Sequence, residues 1–269
     1  MDETMIFEKN SFRKRICSMI NVDFRRMFTM PLFYIMCGIS IVIPVLILVM
    51  TTMMDGSVSV NPQTGEETVM EAFESTWQAI GSISGTGAGM DMSLTGMCNI
   101  NLIFFLVAVF ICTFVAADFR SGYSKNLFAI RSKKTEYIIS KTLVGFIGGA
   151  SMLICFFVGA MLGGAISGLP FDTGVANAEN IVMCMLAKIF LMVVFVAIYL
   201  LMSIIAKQKL WLSILLSLGM GMFLFAMIPI ITPLNSGIMN VVICLVGGIL
   251  FSLVFGMVGN LLLKRRDIL

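Results

Sequence analysis

Long apolar runs alternate with short polar stretches along this chain, and that rhythm sets the first reading. A bilayer core about 30 Å thick takes about 20 apolar residues as a helix. Six segments suit that length: Leu32 to Met53, Ile100 to Ala117, Thr142 to Ile166, a stretch ending at Ala206 that begins between Ile181 and Ile189, Leu210 to Ile231, and Ile238 to Leu263. Pro44 falls inside the first span and predicts a kink there. That span does not read as a cleaved signal peptide: 30 or so residues precede it, it is too long for an h-region, and no small-residue cleavage site follows.

The polar stretches carry patterns of their own. From Ser11 to Met30, Phe12, Ile16, Ile20, Phe24 and Phe28 recur every fourth residue, with Met19 and Met27 beside them and Arg13, Lys14, Asn21 and Arg25 on other faces. This predicts an amphipathic helix lying on the membrane surface, or else a soluble helix packed on a partner. Pro31 suits the first position of the helix that follows. In the segment after the first span, Val69, Met70, Phe73, Trp77 and Ile80 fall at helical spacing and predict a short helix over Glu66 to Ile80, resting on the interface where Trp is at home. Gly81 to Gly96 is Gly/Ser-rich and reads as a flexible linker; Gly85-Thr-Gly-Ala-Gly89 lacks the Gly-Lys-Ser/Thr of a phosphate loop. Between the second and third spans, Gly122 breaks the helix and Tyr123 to Ile130 predicts a short helix along the membrane face. Leu127, Phe128 and Ile130 would form an exposed apolar patch. Either a partner covers that patch or the loop serves only to anchor topology.

Composition agrees. Of the 269 residues 59% are hydrophobic and 12% charged, against about 25% charged in a soluble domain, so lipid is the solvent. The expected fold is an all-α integral membrane protein of six transmembrane helices preceded by an amphipathic interfacial helix. Residues 1–30 hold that helix, 31–53 the first span, 54–99 an outer loop, and 100–269 the other spans with a polar loop at 118–141. Of the 18 Lys and Arg residues, 17 fall before the first span, in the 118–141 loop, at Lys207 and Lys209, or after Leu263. The segment Met54 to Cys98 has six acids and no base, and the next outer loop holds Asp172 and Glu179. By the positive-inside rule the basic side, with both termini, is cytoplasmic. Lys188 is the exception, expected near the outer end of the fourth span with its ammonium snorkelling to the interface; a substrate or counter-ion role is the other reading.

The chain contains no His, which removes Ser/His and Cys/His pairs and the commonest metal ligand, and with them intramembrane metalloprotease and rhomboid-type chemistry. The seven Cys show no metal-ligand or C-x-x-C spacing and read as small buried hydrophobes, apart from Cys98 near the outer surface. No catalytic residue, metal site or nucleic-acid partner is expected. Gly145, Gly149, Gly159 and Gly163 in the third span allow close helix contact, within the chain or across a dimer.

The segment Asp118-Phe-Arg-Ser-Gly-Tyr-Ser-Lys-Asn126, followed by Arg131-Ser-Lys and Tyr137-Ile-Ile-Ser-Lys141, sits in a frame of six spans, a leading amphipathic helix and a large outer loop. Over nearly its whole length the chain resembles the permease subunits of type-2 ABC exporters, in particular bacterial permeases of antimicrobial-peptide immunity and export. The resemblance implies a bacterial plasma-membrane protein working as two permeases, a homodimer, with two copies of an ATPase subunit. It implies a coupling helix that docks in the ATPase, and by position points to Asp118, Arg120, Gly122, Tyr123, Lys125, Asn126 and Leu127. The chain has no Walker A, Walker B or signature motif. ATP and its Mg therefore belong to the partner, and this chain is not an enzyme and needs no cofactor. The outer loop is longer than in the family's polysaccharide exporters, which argues against such substrates.

The resemblance puts the second and fifth spans around a central cavity. Phe104, Phe105, Met220, Phe223 and Met227 would then give an adaptable apolar lining for an amphipathic or hydrophobic substrate, such as an antimicrobial peptide. The alternative, that these residues face lipid or neighbouring helices, stays open. Two other functions compete: an ion-coupled secondary transporter, against which the spans hold no Asp or Glu and show no evident broken helices, and a membrane anchor or sensor without transport.

Overall fold

The computed structural model describes residues 12–60, 67–69, 73–81, 99–130, 134–172, 177–206 and 209–265. All but the first residue of the Gly/Ser-rich run lies outside them, as do Cys98, Arg131, Lys133, Lys207 and Arg266. The described elements are α1 (Phe12–Thr29), α2 (Pro31–Met53), α3 (Ile103–Arg120), α4 (Tyr123–Ile130), α5 (Thr135–Ser167), α6 (Ala178–Ile205), α7 (Leu210–Phe225), α8 (Ile228–Ile231) and α9 (Ile238–Arg265). A small antiparallel hairpin, β1 (Val58–Val60) and β2 (Glu67–Val69), pairs Val58 with Val69. Every other regular element described is helical.

Among the described residues, five helices are long and apolar enough to cross a membrane: α2, α3 with the 3-10 turn at Ile100–Leu102 before it, α5, α6 and α9. The chain is thus a multi-pass helical membrane protein. The fifth expected span is broken. α7 has 16 residues, roughly 24 Å at 1.5 Å per residue, which is short of a bilayer core. The cause is Pro229, whose ring meets the position of the Phe225 carbonyl and which has no N–H to donate to it. The chain turns at Ala226 and Met227 and resumes for the one turn of α8.

α3 and α6 are the most enclosed spans and α9 the least. α2 lies along α5, α9 along α6, and α1 against the start of α5. Glycine makes the α2–α5 contact possible: a Cβ on Gly163 would stand 2.9 Å from the Cα of Val45, and one on Gly159 would collide with the carbonyl of Ile41. Gly145 and Gly149 do the same toward Val196 and Met192 of α6. All four glycines are therefore used inside the chain.

Two expectations need correcting here. α1 exists with nearly its expected bounds, but the face it turns to the protein is Met19, Asp23 and Met27; Ile16, Ile20 and Phe24 are half-buried and Phe28 is exposed. The stripe suited to lipid thus lies beside the stripe that packs. The helix expected over Glu66 to Ile80 is a strand at Glu67–Val69 and a 3-10 turn at Thr76–Ala79. That turn is tucked into the bundle rather than resting on its surface: Phe73, Thr76 and Ile80 are buried, Thr76 fills the space over Gly164, and Trp77 Nε1 donates to the carbonyl of Phe171 at 2.6 Å.

Candidate functional site

Four charged side chains meet at the basic end of the bundle. Asp23 stands on the buried stripe of α1, between Met19 and Met27 at four-residue spacing. Asp118 lies in the last turn of α3, and Lys141 two turns into α5, where the helix starts earlier than the hydropathy predicts and carries this lysine inward. Asp23, Asp118 and Lys141 are buried and Arg26 is about three-quarters so. Lys141 Nζ lies 2.8 Å from Asp23 Oδ1 and 2.6 Å from Asp118 Oδ2, and Arg26 Nη1 lies 2.6 Å from Asp118 Oδ1. Ser140 Oγ donates to Asp23 Oδ2 at 2.6 Å and Tyr137 Oη to Asp118 Oδ2 at 3.1 Å.

Charges of this kind remain ionised away from water only when paired and hydrogen-bonded. Here two carboxylates face two cations, so the cluster is neutral, and hydroxyls fill remaining acceptor sites. Beside it, Arg15 Nε pairs with buried Glu136 at 3.0 Å, again joining α1 to α5.

The cluster reaches α4 through aromatic faces. Gly122 takes φ +71°, a left-handed turn that a residue with a Cβ adopts only at a cost, and this separates α4 from α3. Tyr123, the first residue of α4, lies with its ring centroid 4.4 Å from the Arg26 guanidinium, and Lys141 Nζ is 4.0 Å from the ring centre of Phe114. Ser124 is buried, and Phe128 packs edge-on against Tyr137 at 5.4 Å. Leu127 and Phe128 are thus half-buried against the core, and the apolar patch expected on the loop is largely turned inward. Arg120, the last residue of α3, and Asn126 of α4 are exposed.

Of the loop residues singled out in the sequence, Asp118 is in the cluster, Tyr123 leans on it, Gly122 makes the turn, Leu127 packs inward, and Arg120 and Asn126 point away. Asp23, Arg26, Tyr137, Ser140 and Lys141 were not recognised as a site. A usable signal exists: Asp23, Asp118 and Glu136 are acids on the basic side of the chain, and each is buried against a cation.

A second polar site lies toward the acidic end. Lys188 does not snorkel: it is fully buried, with Nζ donating to Asn101 Oδ1 at 2.9 Å and Thr232 Oγ1 at 3.0 Å. Thr232 closes α8 beyond the break in the fifth expected span, so the lysine ties the broken helix to α6 and to the start of α3. Cys184, one turn earlier on α6, lies 3.6 Å from the Thr232 carbonyl.

The residues proposed to line a substrate cavity are dispersed. Phe104 is core, with its ring 4.5 Å from Phe195; Phe105 stacks on Phe225 at 5.2 Å. Met220 is half-buried, while Phe223 and Met227 are exposed, at 78% and 52%. Phe104 and Phe105, adjacent on α3, pack on different helices, and Met220, Phe223 and Met227 are open to different degrees. Compared with family profiles, curated proteins and solved structures, the chain matches none.

Proposed function

We propose that this chain is the membrane subunit of an ATP-driven exporter and that a separate ATPase subunit pushes on α4. The observation that carries the reading is the contrast between the two sides of that helix. Its inner side is fastened, through Tyr123 to Arg26 and through Phe128 to Tyr137, to a charge cluster shared by α1, α3 and α5. Its other side leaves Asn126 exposed, next to exposed Arg120 at the end of α3 just before the turn. An eight-residue helix hung on loops would buckle under load; one pinned this way passes displacement to three helices at once. The resemblance to type-2 ABC permeases supports the same assignment from the sequence side.

In this reading the basic side is cytoplasmic, in a bacterial plasma membrane, and α7 with α8 makes the fifth of six crossings. Two copies of the chain meet two ATPase subunits, and dispersed apolar residues such as Phe223 and Met227 complete a cavity for an amphipathic peptide only between copies. The chain purified from its native membrane should bring an ATP-hydrolysing subunit with it. Changing the exposed pair with Arg120→Glu and Asn126→Asp should release that subunit without changing the thermal unfolding of the chain. Retention of the ATPase by the double variant sinks the assignment of α4.

The buried Lys188 beside a broken helix favours a second reading, ion-coupled transport, since such breaks line ion sites in secondary transporters. Proteoliposomes holding the chain alone separate the two: substrate movement driven by an ion gradient, without ATP, decides for the second.

A further inference from the structure

Along the flank of the bundle, α5, α6 and α9 leave a groove of about 510 Å³, within the size range of ligand pockets. On α5 it runs from Thr135 at the basic end to Phe146, which is 11 residues or roughly 16 Å at 1.5 Å per residue. That is the depth of one leaflet, half of a core about 30 Å thick. The inner end is walled by Phe146 and Phe190, the length is apolar except for Thr142 and Ser252, and the mouth at the basic end carries Thr135 and Asn260. The buried Oδ1 of Asn260 has no hydrogen-bond partner.

Positive charge gathers at that mouth. Lys134, half-buried, directly precedes Thr135, and its Nζ donates to the carbonyl of Leu263 at 2.6 Å, which holds the ammonium between the start of α5 and the end of α9. An ammonium has three protons to donate, so two remain. We propose that this groove is a binding site for one anionic phospholipid of the leaflet on the basic side. An acyl chain fills the apolar length, the phosphate takes the remaining Lys134 donors and the Thr135 hydroxyl, and a headgroup hydroxyl donates to Asn260 Oδ1. The site stands whichever energy source drives the protein.

The test uses detergent-purified, delipidated full chain titrated with phosphatidylglycerol and, separately, phosphatidylcholine of identical acyl chains, read by native mass spectrometry. One phosphatidylglycerol should bind per chain about tenfold more tightly than phosphatidylcholine: both carry the phosphate, but the choline cation is repelled by the Lys134 ammonium and offers no hydroxyl to Asn260. Lys134→Gln should remove most of the preference for phosphatidylglycerol while both lipids still bind, leaving the part that the hydroxyl on Asn260 supplies. Gly256→Phe should remove both adducts; a Cβ there has its nearest neighbour at Ile138 Cγ2, 3.7 Å away, so the ring has the groove to enter. Equal binding of the two lipids by the unmodified chain means annular lipid only and overturns the proposal. So does a phosphatidylglycerol adduct that survives Gly256→Phe. A dimer that Gly256→Phe dissociates also overturns it, because a second copy then covers the groove.

Discussion

At the scale of single residues, the buried cluster shows why a carboxylate on the basic side of a membrane protein is informative. Lysines and arginines there serve topology and lipid headgroups, and most tolerate water. An acid has no such task, and Asp23, Asp118 and Glu136 each lie buried against a cation. The cluster is neutral as a set and costly when broken, since removing one partner of a buried pair strands the other. Replacing Lys141 with Met leaves two carboxylates competing for Arg26, and thermal unfolding in detergent should reveal a loss of about 3–5 kcal/mol. Adding Asp118→Asn restores neutrality, so the double variant should recover more than half of that loss, which two independent substitutions would not do. Additive effects, or a silent Lys141→Met, would show that these charges are not coupled in the folded chain. Hydropathy could not place this site, because it locates a residue along a helix but not around it. Lys188 escaped for the same reason: its direction, inward to Asn101 and Thr232, was invisible.

Among the elements, legibility follows the strength of the local signal. α4 occupies Tyr123–Ile130 as expected, because a left-handed glycine and a basic, partly apolar octet fix both ends locally. α2 and α9 also begin or end within a residue or two of expectation, since apolar length decides them. The fifth apolar run hid its break: Leu210 to Ile231 is hydrophobic throughout, and a sum of hydropathies does not register the geometry of Pro229. The outer segment failed differently, with packing under the outer ends of α5 and α6 overriding a weak helical spacing at Thr76–Ala79. The glycines of α5 were read correctly as close-contact positions, and they permit a paired experiment. Gly159→Ala drives a Cβ into the carbonyl of Ile41 and should cost roughly 1–3 kcal/mol, typical of overpacking. Gly38→Ala on the facing helix meets nothing within 4 Å, and should be neutral or stabilise by about 1 kcal/mol through helix propensity. Thermal midpoints of the two variants should therefore move in opposite directions or differ clearly in size; equal losses would show that α2 and α5 are not packed at this register.

For the whole molecule, the question left by the broken helix is how many times the chain crosses. Five long helices alone would leave the two ends of the bundle on opposite sides of the membrane, whereas α7 and α8 acting together restore an even number. Contacts at the basic end favour the even count. Arg15 of α1 pairs with Glu136 of α5, and Lys134, just before α5, reaches the Leu263 carbonyl near the end of α9. Both ends of the described chain therefore meet the start of the same helix, which is what the proposed six crossings require. In the proposed topology the basic side is the cytoplasmic one, which the 17 of 18 basic residues assigned to it support through the positive-inside rule. Cysteine accessibility checks both steps at once. Cys17 is exposed on α1, and Lys264→Cys supplies a probe in the last turn of α9, in a background with Cys98 replaced by Ser. In intact cells neither should react with a membrane-impermeant maleimide, and both should react once the cells are opened. Labelling of both from outside would invert the topology while keeping the fold. Labelling of Lys264→Cys alone would leave five crossings, and would also require the Lys134–Leu263 contact to be wrong, because one side chain cannot span a bilayer.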